Sequence, residues 1–250
     1  MQIHHVVALS GGKDSTALAL RLAEVEPRDY IYVITPTGNE PPDMIAHWNK
    51  LKGILGKPLT IATFGKSLHG EIRRQTMLPN HRARWCTRML KLDPYYAWMR
   101  EHTPCVSYVG LRADEEGRAG MIFPEESGIQ VRCPMQEWGW KIEDVVMYLQ
   151  DKGITVPKRT DCMDCFWAQL GELYELWRDN REAFYLGAEL EEFVSAARGK
   201  PYTFRSPQRD TWPASRRDLG AEFEKGRIPT RSLAMMDKRR QIGSCRVCTL

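Results

Sequence analysis

The sequence has no apolar run long enough to span a bilayer and no signal-peptide pattern at its start. Both absences predict a cytoplasmic protein with no membrane partner. There is no internal repeat and no low-complexity stretch, which sets aside solenoids and linker-like chains. The six histidines show no ligand spacing, and the adjacent His4 and His5 point to opposite faces of a strand, so none is assigned a role. The Walker A pattern is missing too. Seven cysteines is an odd number, and four of them form two C-x-x-C pairs, Cys162/Cys165 and Cys245/Cys248. In an intracellular chain that argues against a disulfide framework and for metal, cluster or redox chemistry.

What remains is ample for a folded enzyme. At 250 residues and 42% hydrophobic, the chain can bury a sizeable core. The net charge of +4 is unevenly spread: residues 167–198 carry seven acidic and three basic side chains, residues 199–248 five acidic and twelve basic. The basic segment is either a surface for nucleic acid or phosphate or a solvated face. Apolar and β-branched runs predict strands at Ile3–Leu9, Tyr30–Thr35, Leu59–Thr63 and Pro104–Val109, with a short one near Val131–Met135. Helical patterns fall at Ser15–Glu26, Pro42–Leu55, Trp85–Glu101 (with Pro94 as a kink or boundary) and Lys141–Asp151. Ser67–Arg84 reads as a basic loop or short helix, and Gly153–Cys165 as a loop. Strand alternating with helix predicts an α/β fold, a doubly wound, mostly parallel sheet. Phe166–Arg178, Arg181–Arg198 and a short stretch near Arg231–Arg240 predict a helical, basic C-terminal appendage. The expected division is 1–165 for the α/β domain and 166–250 for the appendage.

The most informative stretch is Ser10-Gly11-Gly12-Lys13-Asp14-Ser15, between the first strand and the first helix. Glycines let backbone approach phosphate oxygens, the helix N-terminus favours an anion, Lys13 adds charge and the serines add donors. The bland alternative is an ordinary turn with Asp14 or Ser15 as a helix cap. By the switch-point rule the ligand belongs beyond the strands' carboxyl ends, where Thr35-Pro36-Thr37-Gly38-Asn39-Glu40 also falls.

This loop resembles the pyrophosphate loop of the adenine nucleotide α-hydrolase superfamily, the N-type ATP pyrophosphatases. Read in order with Thr35–Glu40, Arg84–Pro94, Gly110–Glu115 and the Cys162/Cys165 pair, it resembles the phosphoadenosine phosphosulfate reductase-like branch. That branch includes sulfonucleotide reductases and the ATP pyrophosphatase of DNA phosphorothioation systems. The resemblance covers roughly residues 1–170. It implies ATP with Mg²⁺, held by Ser10, Gly11, Gly12, Lys13, Asp14, Ser15, Thr37, Gly38 and Arg112. The intact loop and the missing adjacent cysteine at Cys86-Thr87 separate the chain from the reductases. So does a tail that lacks their E-C-G-L-H ending.

Catalysis is expected from Asp14 and from Lys13, Lys91, Arg112 and Arg118, the four cations facing charge that spreads over the α-phosphate and departing pyrophosphate. Asp14 either holds Mg²⁺ or orients Lys13. For Arg112 and Arg118 the alternative is a surface ion pair with Asp114, Glu115 or Glu116. Cys86, Cys162, Cys165 and a tail cysteine, Cys248 or Cys245, are expected to hold a [4Fe–4S] cluster. Zinc is the competing metal, and free or buried thiols or a redox pair the competing reading. The expected function is an ATP pyrophosphatase that adenylylates a substrate for sulfur insertion into nucleic acid. By analogy it would take a cysteine desulfurase as partner, with homo-oligomerisation left open. The rivals are a (phospho)adenylyl sulfate reductase and a non-catalytic nucleotide-binding module.

Overall fold

Strands that alternate between two packed faces organise the centre of the molecule. The computed structural model describes residues 2–115 and 123–242. Five strands, β1 (His4–Ala8), β2 (Tyr30–Ile34), β3 (Leu59–Ile61), β4 (Cys105–Tyr108) and β5 (Ile129–Arg132), form a sheet in the order β3-β2-β1-β4-β5. Every pairing is parallel. A parallel neighbour requires a crossover, and helices lie in the connections from β1 to β2, β2 to β3 and β3 to β4, covering both faces of the sheet. On one face Val7, Leu9, Tyr30, Tyr32, Val106 and Tyr108 pack with Leu18 and Leu22 of α1 (Lys13–Val25), Leu51 of α2 (Pro42–Leu55) and Leu149. On the other, the alternate residues Val6, Val33 and Cys105 meet Met99.

Between β3 and β4 lie α3 (Leu68–Gln75), a short α4 (Trp85–Thr87), a π-helical turn (Arg88–Leu92) and α5 (Asp93–Glu101). The helix expected over Trp85–Glu101, with Pro94 as a kink or boundary, is present over that whole range, with its irregularity just before Pro94. Pro94 brings no N–H and crowds the carbonyl one turn back, and the chain widens just before it into the π-helical register. The basic stretch after Ser67 does contain a helix, because Ser67 caps α3 by accepting a 3.2 Å hydrogen bond from the Gly70 N–H.

After β5 come α6 (Pro134–Glu137) and α7 (Ile142–Asp151), then α8 (Leu170–Asp179), α9 (Arg181–Arg198), α10 (Arg216–Glu224) and α11 (Thr230–Ile242). Three expectations shift here. β5 lies two residues earlier than Val131 because Cys133-Pro134 begins a helix. α8 starts at Leu170, where Glu172 accepts from the Gln169 N–H. α10 was not expected at all. Packing crosses residue 166: Leu190, Val194 and Phe204 share a buried cluster with Leu68, Ile72 and Leu90. Among the described residues no helix is long and apolar enough to cross a membrane.

Leu22 is fully buried between α1 and the sheet. Replacing it with Ala removes packed methyl groups and leaves a cavity, and should lower unfolding free energy by about 3 kcal/mol in urea titrations.

Candidate functional site

In a sheet of this order the direction in which strands are added reverses between β1 and β4, the place where a crevice forms at the strands' carboxyl ends. The Ser10–Ser15 loop occupies one lip. Gly11 has φ +84°, and a Cβ there would lie 2.5 Å from Trp48 Nε1. Trp48 Nε1 donates to the Ser10 carbonyl at 3.1 Å and so clamps the turn from α2. The serines finish it: Ser10 Oγ and Ser15 Oγ are 2.9 Å apart, and the Gly11 N–H donates to Ser15 Oγ at 3.1 Å. Gly12 then starts α1, whose N-terminus brings a partial positive charge.

The segment after β4 forms the other lip. Gly110 packs on the loop so closely that a Cβ would come within 3.2 Å of the Asp14 carbonyl carbon and Ser15 nitrogen. That approach delivers Arg112. Its Nη1 lies 3.0 Å from Asp14 Oδ2, its Nε donates to Asp114 Oδ1 at 2.8 Å, and Glu115 Oε2 is 3.9 Å away. Lys13 Nζ is 3.4 Å from the same Asp14 oxygen. Lys13, Asp14 and Arg112 are all buried. Burial disfavours the guanidinium charge, but Asp114 and Asp14 outweigh it and the net shift is upward, so Arg112 stays a cation. The ion pairing expected as an alternative for Arg112 is present, in the interior rather than on the surface. Arg118 lies outside the described residues.

Beyond β2, Glu40 folds back under its own turn. Its carboxylate accepts from the N–H groups of Thr37 (2.7 Å), Gly38 (3.0 Å) and Asn39 (3.2 Å). It also takes the Thr37 hydroxyl at 2.6 Å, and that hydroxyl lies 3.1 Å from Cys162 Sγ. The nucleotide end and the cysteine end thus meet at Thr37.

Cys86, Cys162 and Cys165 open onto one cavity of about 70 Å³, together with Lys91. The π turn carries Lys91 there, facing Cys162 and Asp161. The structure therefore places Lys91 with the cysteines, whereas the sequence reading placed it at the phosphates. Burial pushes the Cys86 and Cys162 thiols up, against the pull of Lys91, and Cys165 up to about 12. A nucleophilic or redox cysteine shows the reverse shift. Among the described residues no three His, Cys, Asp or Glu side chains are arranged to hold a metal ion. The three thiols share a cavity without closing a coordination sphere, and Cys245 and Cys248 lie outside the described residues.

Several residues that border the cysteines carry no sequence signal of their own. Asp164, inside the C-x-x-C, is 1% exposed. Its carboxylate meets His69 Nε2 at 2.5 Å, Asn39 Nδ2 at 3.1 Å and Arg216 Nη1 at 2.5 Å. Burial opposes the charge on Asp164, but Arg216 and His69 hold its pKa below the ordinary carboxylate value. His69, given no role from spacing, is thus part of the site; only its proximity in the fold reveals it. An open groove of about 520 Å³ runs along the back of the cysteine loop. Its walls include Lys50, Lys158 and Arg159 with Asp43 and Glu175. Arg159 joins groove to loop, donating from Nη2 to the Cys162 carbonyl at 2.7 Å.

A family model for the phosphoadenosine phosphosulfate reductase domain matches residues 4–158. No curated protein matches the chain in sequence at a significant level. Among solved structures, phosphoadenylyl-sulfate reductase from Candida auris, in a phosphate complex, aligns at 15% identity. That alignment covers 62% of this chain and 76% of the reductase with a TM-score of 0.49. The U34-tRNA thiolase NcsA from Methanococcus maripaludis, with its [4Fe-4S] cluster, aligns at 19% identity over 79% of this chain and 71% of its own, TM-score 0.49. At this level the likenesses bear on neither substrate nor cofactor.

Glu191 of α9 accepts from the N–H groups of Arg216 (2.7 Å) and Phe204 (2.9 Å), yet burial still pushes its pKa up to about 7. An acid whose folded pKa lies above its unfolded value binds the extra proton in the folded state. Its contribution to stability therefore falls as pH rises from about 4.5 through about 7. Glu191→Gln should flatten that decline, by about 3 kcal/mol at most across the window, in urea melts at successive pH values.

Proposed function

The chain belongs to the phosphoadenosine phosphosulfate reductase domain family, and from that premise we propose that it is an ATP pyrophosphatase that adenylylates nucleic acid for sulfur insertion. The observation that carries this reading is the intact Ser10–Ser15 loop with Lys13, Asp14 and Arg112 grouped at the switch point. A reductase nucleotide has no β,γ-pyrophosphate to occupy such a loop.

In this reading the N-terminus of α1 and the loop hold the β- and γ-phosphates of Mg²⁺-ATP. A substrate oxygen attacks the α-phosphorus, the bond to the bridging oxygen breaks, and pyrophosphate leaves against Lys13. Asp14, held by Arg112, orients Lys13 rather than presenting itself to solvent. Thr37 and Gly38 border the adenosine. A sulfur nucleophile then displaces AMP from the adenylylated oxygen's carbon or phosphorus. Cys86, Cys162 and Cys165, with Cys248 as fourth ligand, would be the holders of a [4Fe–4S] cluster, which would supply a site for that sulfur. That three cysteines from two separate segments share one cavity is what supports ligands over a redox pair. The groove beside the cysteine loop, with Lys50, Lys158 and Arg159, supports a phosphate-bearing acceptor, as does the basic segment after residue 199. A cysteine desulfurase as sulfur donor fits the same scheme.

Pyrophosphate release from ATP in the presence of RNA or DNA tests the reaction. Lys13→Ala should lower kcat about 100-fold, the scale of losing one charged group at a developing anion. Thiol-dependent sulfite release from an adenylyl sulfate, with no pyrophosphate from ATP, would establish the reductase instead. Anaerobic purification should yield iron and sulfide, and stoichiometric zinc without iron would overturn the cluster. Lys50→Ala with Lys158→Ala should weaken nucleic-acid binding and reduce its log–log salt slope by about 1 to 2, measured by fluorescence anisotropy.

A further inference from the structure

The cysteine loop is gripped from the C-terminal helices. Arg216, at the start of α10, is 1% exposed. Its Nη1 pairs with Asp164 Oδ1 at 2.5 Å, and its Nη2 donates to the Met163 carbonyl at 3.1 Å. Both contacts fall between Cys162 and Cys165. The guanidinium rests over the rings of Phe184 and Phe204, 5.7 and 5.3 Å from their centroids. Its own backbone N–H is fixed by Glu191 at 2.7 Å.

From the opposite side, Asn39 holds the same two residues. Its Oδ1 accepts from the Asp164 N–H at 2.8 Å, and its carbonyl accepts from the Met163 N–H at 2.9 Å. The loop is therefore pinned between the end of β2 and the start of α10. Gly187 of α9 makes this possible. A Cβ on it would lie 2.1 Å from Arg216 Nη1 and 2.5 Å from Asp164 Oδ1, so any side chain there displaces the arginine.

Buried ion pairs commonly contribute no more stability than apolar packing of the same volume, so their retention needs another reason. Here the reason is location. We propose that Arg216, with Gly187 leaving it room, is the positioning residue of the cysteine loop, setting Cys162 and Cys165 opposite Cys86 and against Thr37. The C-terminal helices are then part of the sulfur-handling site and not an accessory module. The functional meaning rests on the sulfur-transfer reading above, whereas the loop placement itself does not.

The test uses full-length, chelator-treated, reduced protein and alkylation by iodoacetamide, read cysteine by cysteine in a mass spectrometer. Arg216→Met and Gly187→Ala should each raise labelling of Cys162 and Cys165 about 10-fold, while Cys105 in the sheet core stays protected. Arg216→Lys should fall between them and the wild type. Gly187→Ala alters no charge, so its agreement with Arg216→Met points to disturbance of the Arg216–Asp164 pair rather than to loss of a positive charge. Labelling that does not rise at Cys162 and Cys165, or that rises equally at Cys105, would overturn the proposal. In the sulfur-transfer assay the same variants should lower kcat about 10-fold and leave KM for ATP unchanged. A wild-type protein inactive in that assay would count against the reaction, and the alkylation result would still decide the positioning.

Discussion

A carboxylate with 1% of its surface exposed survives as an ion only where opposite charge and hydrogen bonds replace the water it has lost. Asp164 meets that condition by drawing on three separate parts of the chain. Asn39 comes from the turn after β2, His69 from α3 and Arg216 from α10. Each is held in turn. Arg216 is anchored through Glu191, and α3 is packed on α9 through the cluster of Leu68, Ile72, Leu190 and Val194. Remove the charge on Asp164 and these segments lose their common reason to converge. The placement of the cysteine loop follows from that one buried anion.

A second buried carboxylate plays a parallel part at the other end of the crevice. Asp14 ties Lys13 on α1 to Arg112 after β4. The two ionic groups differ in what they leave available. Around Asp164 the charges are spent on holding backbone in place. Around Asp14 the cations Lys13 and Arg112 border a loop whose geometry already favours phosphate. One cluster builds the site and the other equips it.

The parallel sheet and the phosphate loop were legible because they are written in local signals. Apolar strands such as Ile3–Leu9, the glycine turn and the helix after it are contiguous in sequence. Boundaries moved by a few residues, as at β5 and α8, where Cys133-Pro134 and the Gln169–Glu172 capping contact set them. α10 was missed because its composition is charged and its neighbourhood rich in Pro and Ser. Ser215-Arg216-Arg217-Asp218 nevertheless carries a capping pattern, and Ser215 does accept from the Asp218 N–H at 3.1 Å. The π turn was illegible, since it depends on how Pro94 meets a helix already begun. The Asp164 network was illegible for a different reason: its members are separated by up to 125 positions from Asn39 and 52 from Arg216, and nothing local relates them. Of the site residues, the loop, Thr37, Gly38, Lys91, Arg112 and the three cysteines could be named from sequence, whereas Asp164, His69 and Arg216 could not.

Neighbouring strands in a sheet lie about 4.8 Å apart. Because β2, β1 and β4 are adjacent, the turn bearing Thr37 and the segment bearing Arg112 stand on either side of the loop that follows β1. Two strand spacings, about 10 Å, thus separate the segments that carry the ATP-facing and the cysteine-facing groups. Under the proposed reaction an activated phosphate ester formed at the loop has almost no distance to cover before sulfur reaches it. Under that reaction both steps share one crevice, and the ester need not leave it for sulfur to reach it.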